Sequence, residues 1–167
     1  VTHDATAGLN SDGALKLERT GANSNFGIKG TALVVDIDAD TKKYIRIRYK
    51  NETNGVQIRL GGTNGDGDPI KTNSNGNIDF SIGANSDEYL TAYFDMSSYT
   101  EWSGDLTNFY LMVRNNEPDT AGDYFYLDEI EFLTTAPAIT YSEFVQNPSF
   151  DGPTGTTHLT GSKSFAT

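Results

Sequence analysis

Six of the chain's 12 Lys and Arg residues fall between positions 42 and 59: Lys42, Lys43, Arg46, Arg48, Lys50 and Arg59. They face one acid in that window, Glu52, although the whole chain carries a formal charge of -11. Tyr44, Arg46 and Arg48 alternate with Ile45, Ile47 and Tyr49, and the period of two of a β-strand sends these sets to opposite sides. The same alternation sets Arg59, Tyr93, Tyr110 and Arg114 against the apolar residues of their own segments. Tyr rings supply flat stacking surfaces and Arg supplies paired donors, which suits sugar rings and their carboxylate or sulfate groups. The expectation is one sheet whose outer side presents Tyr44, Arg46, Arg48, Arg59, Tyr93, Tyr110 and Arg114 to a substrate. The alternative on the same residues is a set of solvated charges that pair with Asp and Glu and discourage edge association.

Carboxylates offer less. Asp95 with Asp79, and Glu129 with Glu131, are nominal acid pairs for a small β-sandwich hydrolase or lyase, which would need them on one cleft at a defined separation. Asp36, Asp38 and Asp40, and Asp66 with Asp68, carry oxygen ligands of the kind calcium takes, without EF-hand spacing. They read as turn and solvent-facing acids. There is no Cys and there are two His, His3 and His158, so thiolate chemistry and Cys- or His-built metal sites have no basis. The acidity argues against nucleic acid as a partner. No apolar run approaches the ~20 residues of a membrane-spanning helix, so a soluble chain without membrane insertion is expected.

The elements that must position these groups are strands. At 167 residues one domain is expected. Apolar residues come in short alternating bursts separated by Gly, Asn, Asp and Pro, which predicts strands over 14–18, 31–38, 43–51, 56–60, 77–82, 89–96, 107–114 and 124–133. The stretches 54–55, 61–69, 73–76 and 115–119 read as turns. Eight strands with such links predict an all-β fold, a two-sheet antiparallel β-sandwich of the jelly-roll kind. In Tyr124-Phe125-Tyr126-Leu127-Asp128-Glu129-Ile130-Glu131-Phe132-Leu133 the apolar phase slips between Leu127 and Ile130. A bulge at Asp128 is therefore expected, re-aiming a carboxylate that then needs a cationic partner.

That run resembles the closing strand of β-jelly-roll carbohydrate-binding modules, in the galactose-binding-like β-sandwich superfamily. Ser11-Asp12-Gly13-Ala14-Leu15-Lys16-Leu17, Tyr44-Ile45-Arg46-Ile47-Arg48-Tyr49-Lys50-Asn51, and Phe94-Asp95-Met96 followed by Trp102-Ser103-Gly104-Asp105-Leu106 agree in order, over about residues 9 to 133. The resemblance implies a noncatalytic module that binds an extracellular polysaccharide, anionic or algal, and targets an attached enzyme or surface protein to it. It implies a secreted or cell-surface bacterial setting and covalent linkage to a glycan-degrading enzyme or other modules. A structural or adhesive spacer is the rival reading. Asp128 is carried over as a ligand of a structural Ca2+, and Trp102 as a packing residue at a loop. The chain departs from the family in having no first strand of the Asn-x-x-Phe-Glu type before Ser11. Residues 134–167 read as linker and tail, possible start of a following module, or, through Asn147-Pro148-Ser149-Phe150-Asp151-Gly152, a displaced first strand that sets Asp151 beside Asp128 as a second metal ligand.

Overall fold

A computed structural model describes residues 1–18, 25–30, 37–70, 78–114 and 123–138. Eleven strands appear there and no helix: β1 (Thr2–Asp4), β2 (Ala14–Glu18), β3 (Asn25–Gly30), β4 (Ile37–Asp38), β5 (Tyr44–Asn51), β6 (Gln57–Thr63), β7 (Ile78–Ser81), β8 (Leu90–Asp95), β9 (Asp105–Leu106), β10 (Asn108–Arg114) and β11 (Tyr124–Leu133). A five-stranded sheet runs in the order β1-β2-β11-β5-β8, a four-stranded sheet in the order β3-β10-β6-β7, and β4 pairs with β9. Every described pairing is antiparallel. The architecture is the expected all-β sandwich.

Alternation builds the core. Along β5 the burial pattern is strictly two-periodic, with Ile45, Ile47 and Tyr49 buried. Phe94 and Phe125 from the same sheet meet Ile58, Leu60, Leu111 and Val113 of the other in one apolar cluster. Each fully buried aliphatic or aromatic side chain there contributes roughly 1.5–3 kcal/mol. Rings bridge the layers: Phe80 stacks on Phe94 at 4.4 Å. Trp102, fully buried, stacks on Phe132 and meets Phe109 edge-on, and its Nε1 donates to the Lys42 carbonyl at 2.7 Å. It packs at a loop as expected. The register of β11 against β5 shifts between Leu127 and Glu129, so the bulge at Asp128 is present.

Several elements differ from the sequence expectation. β1 precedes Ser11 and pairs with β2, although its residues do not follow the family's first-strand pattern. β3 carries two glycines and a weak alternation, and it forms because β10 is there to pair with; at Gly27 the Leu111 carbonyl and Met112 Cα fill the space a Cβ would take. Residues 61–63, expected to turn, continue β6. Of the expected strand 31–38 only β4 lies among the described residues.

Candidate functional site

The seven residues expected on one face occupy two. Tyr44, Arg46 and Arg48 lie on β5 and Tyr93 on β8, in the five-stranded sheet, whereas Arg59 lies on β6 and Tyr110 and Arg114 on β10, in the other. Each set does point outward, opposite its buried neighbours. The split arises at residues 51–55. Asn51, fully buried, donates from Nδ2 to the carbonyls of Gly55 at 2.8 Å and Gly83 at 2.7 Å. Its Oδ1 accepts from Thr53 N at 3.2 Å and Thr53 Oγ1 at 2.7 Å. These bonds hold a corner that passes the chain from one sheet to the other, where consecutive strands otherwise favour a hairpin.

On the five-stranded sheet, cross-strand register sets acids opposite the cations. Glu131 faces Arg46 and Glu129 faces Arg48. Arg46 Nη2 lies 3.0 Å from Glu129 Oε1 and 2.9 Å from Glu131 Oε2. Arg48 bonds Glu129 at 3.2 Å and, through Nε, the bulged Asp128. The bond to Asp128 raises the Arg48 pKa above its usual value. Lys50 pairs with Glu52 at 2.6 Å and sits 4.3 Å from the Tyr126 ring centroid, while Lys16 sits 3.6 Å over Tyr124. The basic row of the sequence is thus compensated by the protein's own acids and rings.

The four-stranded sheet presents a different surface. Tyr110 crosses from β10 onto β6, and its Cζ and hydroxyl occupy the space a Cβ at Gly61 would need. Gly62 is required as well, since any Cβ there would meet the Asn108 carbonyl. Beside the ring, Asp79 accepts from Arg59 Nε at 2.7 Å and Nη2 at 2.8 Å, and from Arg114 Nη1 at 2.7 Å. The Arg59 bonds hold the Asp79 carboxyl below the usual carboxylate range and push Arg59 up. Gln57, Thr63, Asn108 and Met112 complete the outer side, all half-buried. The Asn108 Oδ1 is buried without a hydrogen-bond partner among the described residues.

The nominal acid pairs fare as follows. Asp79 and Asp95 sit on different sheets and point to opposite sides of the sandwich. Glu129 and Glu131 share a face, and both bond Arg46. Asp38 caps a turn, accepting from Asp40 N at 2.9 Å and Thr41 Oγ1 at 3.0 Å.

Asp128 is 1% exposed at its side chain and lies under the loop from β1 to β2. Around the point where a Gly8 Cβ would stand, Asp12 Oδ1 is at 2.6 Å, Asp128 Oδ1 at 2.8 Å and the Gly13 carbonyl at 2.9 Å. Gly8, with φ +101°, leaves that cradle open. Three converging oxygens, two of them carboxylate, are the donor type a hard cation prefers. Among the described residues no group of three or more His, Cys, Asp or Glu converges. Asp151, the second expected ligand, lies outside the described residues. The sequence flagged Asp128 and Asp79 but not Asp12, Gly8, Gly61 or Met112 as site-forming. The Gly-Gly pair inside an alternating segment was the available signal, because glycine in a strand marks close approach.

No protein-family model matches the chain, and no curated protein does. Among solved structures, an exo-beta-agarase is similar with a TM-score of 0.53 at 13% identity, over 81% of this chain. This chain spans only 22% of that enzyme's chain. The likeness shows a shared fold.

Proposed function

We propose that this is a noncatalytic polysaccharide-binding module, secreted or displayed on a bacterial surface and joined to a glycan-degrading enzyme or a surface protein. The observation that carries the reading is Tyr110, laid across Gly61 on the outer side of the four-stranded sheet with the Arg59–Asp79–Arg114 cluster beside it. Its ring stacks against a sugar, contributing roughly 0.5–1.5 kcal/mol beyond burial. Affinity is accordingly modest, and the module acts by holding polymer at high effective concentration near its partner. The fold shared with part of an exo-beta-agarase supports a carbohydrate role. Asp79 itself, held below the usual carboxylate range by the arginines, is unsuited to the role of proton donor.

Affinity electrophoresis through gels holding agarose, laminarin, alginate or carrageenan tests the reading. Retardation by at least one polymer, lost in Tyr110→Ala, is expected, with no new reducing ends or unsaturated uronate on incubation. No retardation by any of them leaves the spacer reading in its place.

Asp12, Asp128 and the Gly13 carbonyl would hold a structural Ca2+ that ties the loop from β1 to β2 onto β11. Bound calcium adds stability as RT ln(1 + [L]/Kd), about 2.7 kcal/mol at a hundredfold excess over Kd. Melting in Ca2+ and in EGTA checks this: a higher Tm with Ca2+, absent in Asp12→Asn, is expected, and identical melting curves refute it.

A further inference from the structure

We propose that the outer side of the four-stranded sheet selects an uncharged stretch of glycan, a neutral galactan or glucan, in preference to a polyanion. The inference rests on the polysaccharide-binding reading above and narrows its ligand.

The argument starts from what the arginines already do. Both ends of the Arg59 fork close on Asp79, and Arg114 donates to the same carboxylate at 2.7 Å. A carboxylate offers about four acceptor positions, and three are used. An incoming sulfate or uronate must therefore compete with Asp79 for donors already held in charge-assisted bonds, two of them in a bidentate pair. On the other sheet, Arg46 and Arg48 are paired with Glu129, Glu131 and Asp128 in the same manner. The chain's formal charge of -11 adds a long-range field that slows the approach of a polyanion.

The remainder of the surface suits an uncharged ring. Tyr110 and Met112 are the apolar groups of β10 on this side, and register places Gly61 opposite Tyr110 and Gly27 opposite Met112. Each apolar side chain thus has one cross-strand neighbour without a side chain, the other neighbour in register being Lys29 for Tyr110 and Arg59 for Met112. A pyranose has one apolar face for the Tyr110 ring and a rim of hydroxyls. Neutral donors and acceptors stand at the border: Thr63 in register with Asn108, and Gln57 in register with Arg114.

The test measures retardation by agarose and laminarin against alginate and carrageenan, at about 0.02 M and about 0.5 M NaCl, which spans strong to negligible screening. Binding to a neutral polymer that changes less than about twofold between the salts and is lost in Tyr110→Ala is expected. Asp79→Asn, which removes the negative charge that both guanidinium groups share, is expected to gain low-salt binding to alginate or carrageenan. Binding confined to the anionic polymers and abolished by salt overturns the neutral selection while leaving polysaccharide binding intact. Neutral binding that persists in Tyr110→Ala overturns the assignment to this face. No binding to any polymer overturns the reading underneath as well.

Discussion

Replacing Asp79 by Asn keeps the shape of the side chain and removes the charge that two guanidinium groups share. In the native protein three N–H···O bonds of 2.7–2.8 Å converge on this carboxylate. The Arg59, Asp79 and Arg114 side chains are 15%, 21% and 25% exposed, so the cluster is neither buried nor fully screened. An amide retains one acceptor and turns an N–H2 toward guanidinium donors, so at least one bond is lost and the negative charge between the two cations is removed. A charge-assisted bond contributes roughly 1.5–3 kcal/mol when shielded and below about 1 kcal/mol on an open surface. A loss of about 2 kcal/mol at neutral pH follows, or roughly 4–8 °C in Tm for a chain of this size. The sign with pH is set by the lowered carboxyl pKa. The wild-type advantage is complete above the ordinary value of 3.8 and is lost as pH falls through the depressed folded value. Urea titrations of both proteins at neutral pH and in acid measure it. A difference below about 0.3 kcal/mol at neutral pH, or one that persists unchanged into strong acid, refutes the assignment of this cluster as a charge-dependent brace.

Gly61→Ala places a methyl group where the Tyr110 ring tip lies; the ring is displaced, so polysaccharide affinity falls roughly three- to tenfold by titration calorimetry while the melting temperature hardly moves. Arg46→Ala breaks pairs whose side chains are 34–43% exposed, so it costs below about 1 kcal/mol in urea unfolding and leaves retardation in polysaccharide gels unchanged. Burial pushes the Tyr49 hydroxyl up to about 12. The folded state therefore keeps a proton that the unfolded state sheds above about 10, and stability falls between these values by about 2–3 kcal/mol. In Tyr49→Phe that alkaline limb should be shallower by a similar amount, read from urea midpoints across the range.

The all-β class, the facing of side chains along β5, the bulge at Asp128 and the packing role of Trp102 were legible from residue order. Each depends on contacts within one strand: a period of two separates Ile45, Ile47 and Tyr49 from Arg46 and Arg48 whatever lies next door, and an apolar phase slip needs an extra residue wherever the strand is placed. Glycines misled for the same reason, since Gly61 and Gly62 resemble a turn when read along the chain, while their cause lies across it, in the Tyr110 ring and the Asn108 carbonyl.

Only the tertiary structure decided which strands share a sheet. The basic residues 42–59 look continuous in sequence, yet the buried Asn51 corner parts them and sends Arg59 to the far side of the sandwich. Register then brings Glu129 and Glu131 opposite Arg48 and Arg46, from 81 to 85 residues away in sequence for the bonded pairs. It also sets Asp79 opposite Arg59. Alternation reports the side a residue faces; the identity of its neighbours follows from long-range pairing, which no local period encodes. Arginines that suggested an anion hook were thereby turned into internal ion pairs, and a lone tyrosine over glycine became the surface to test.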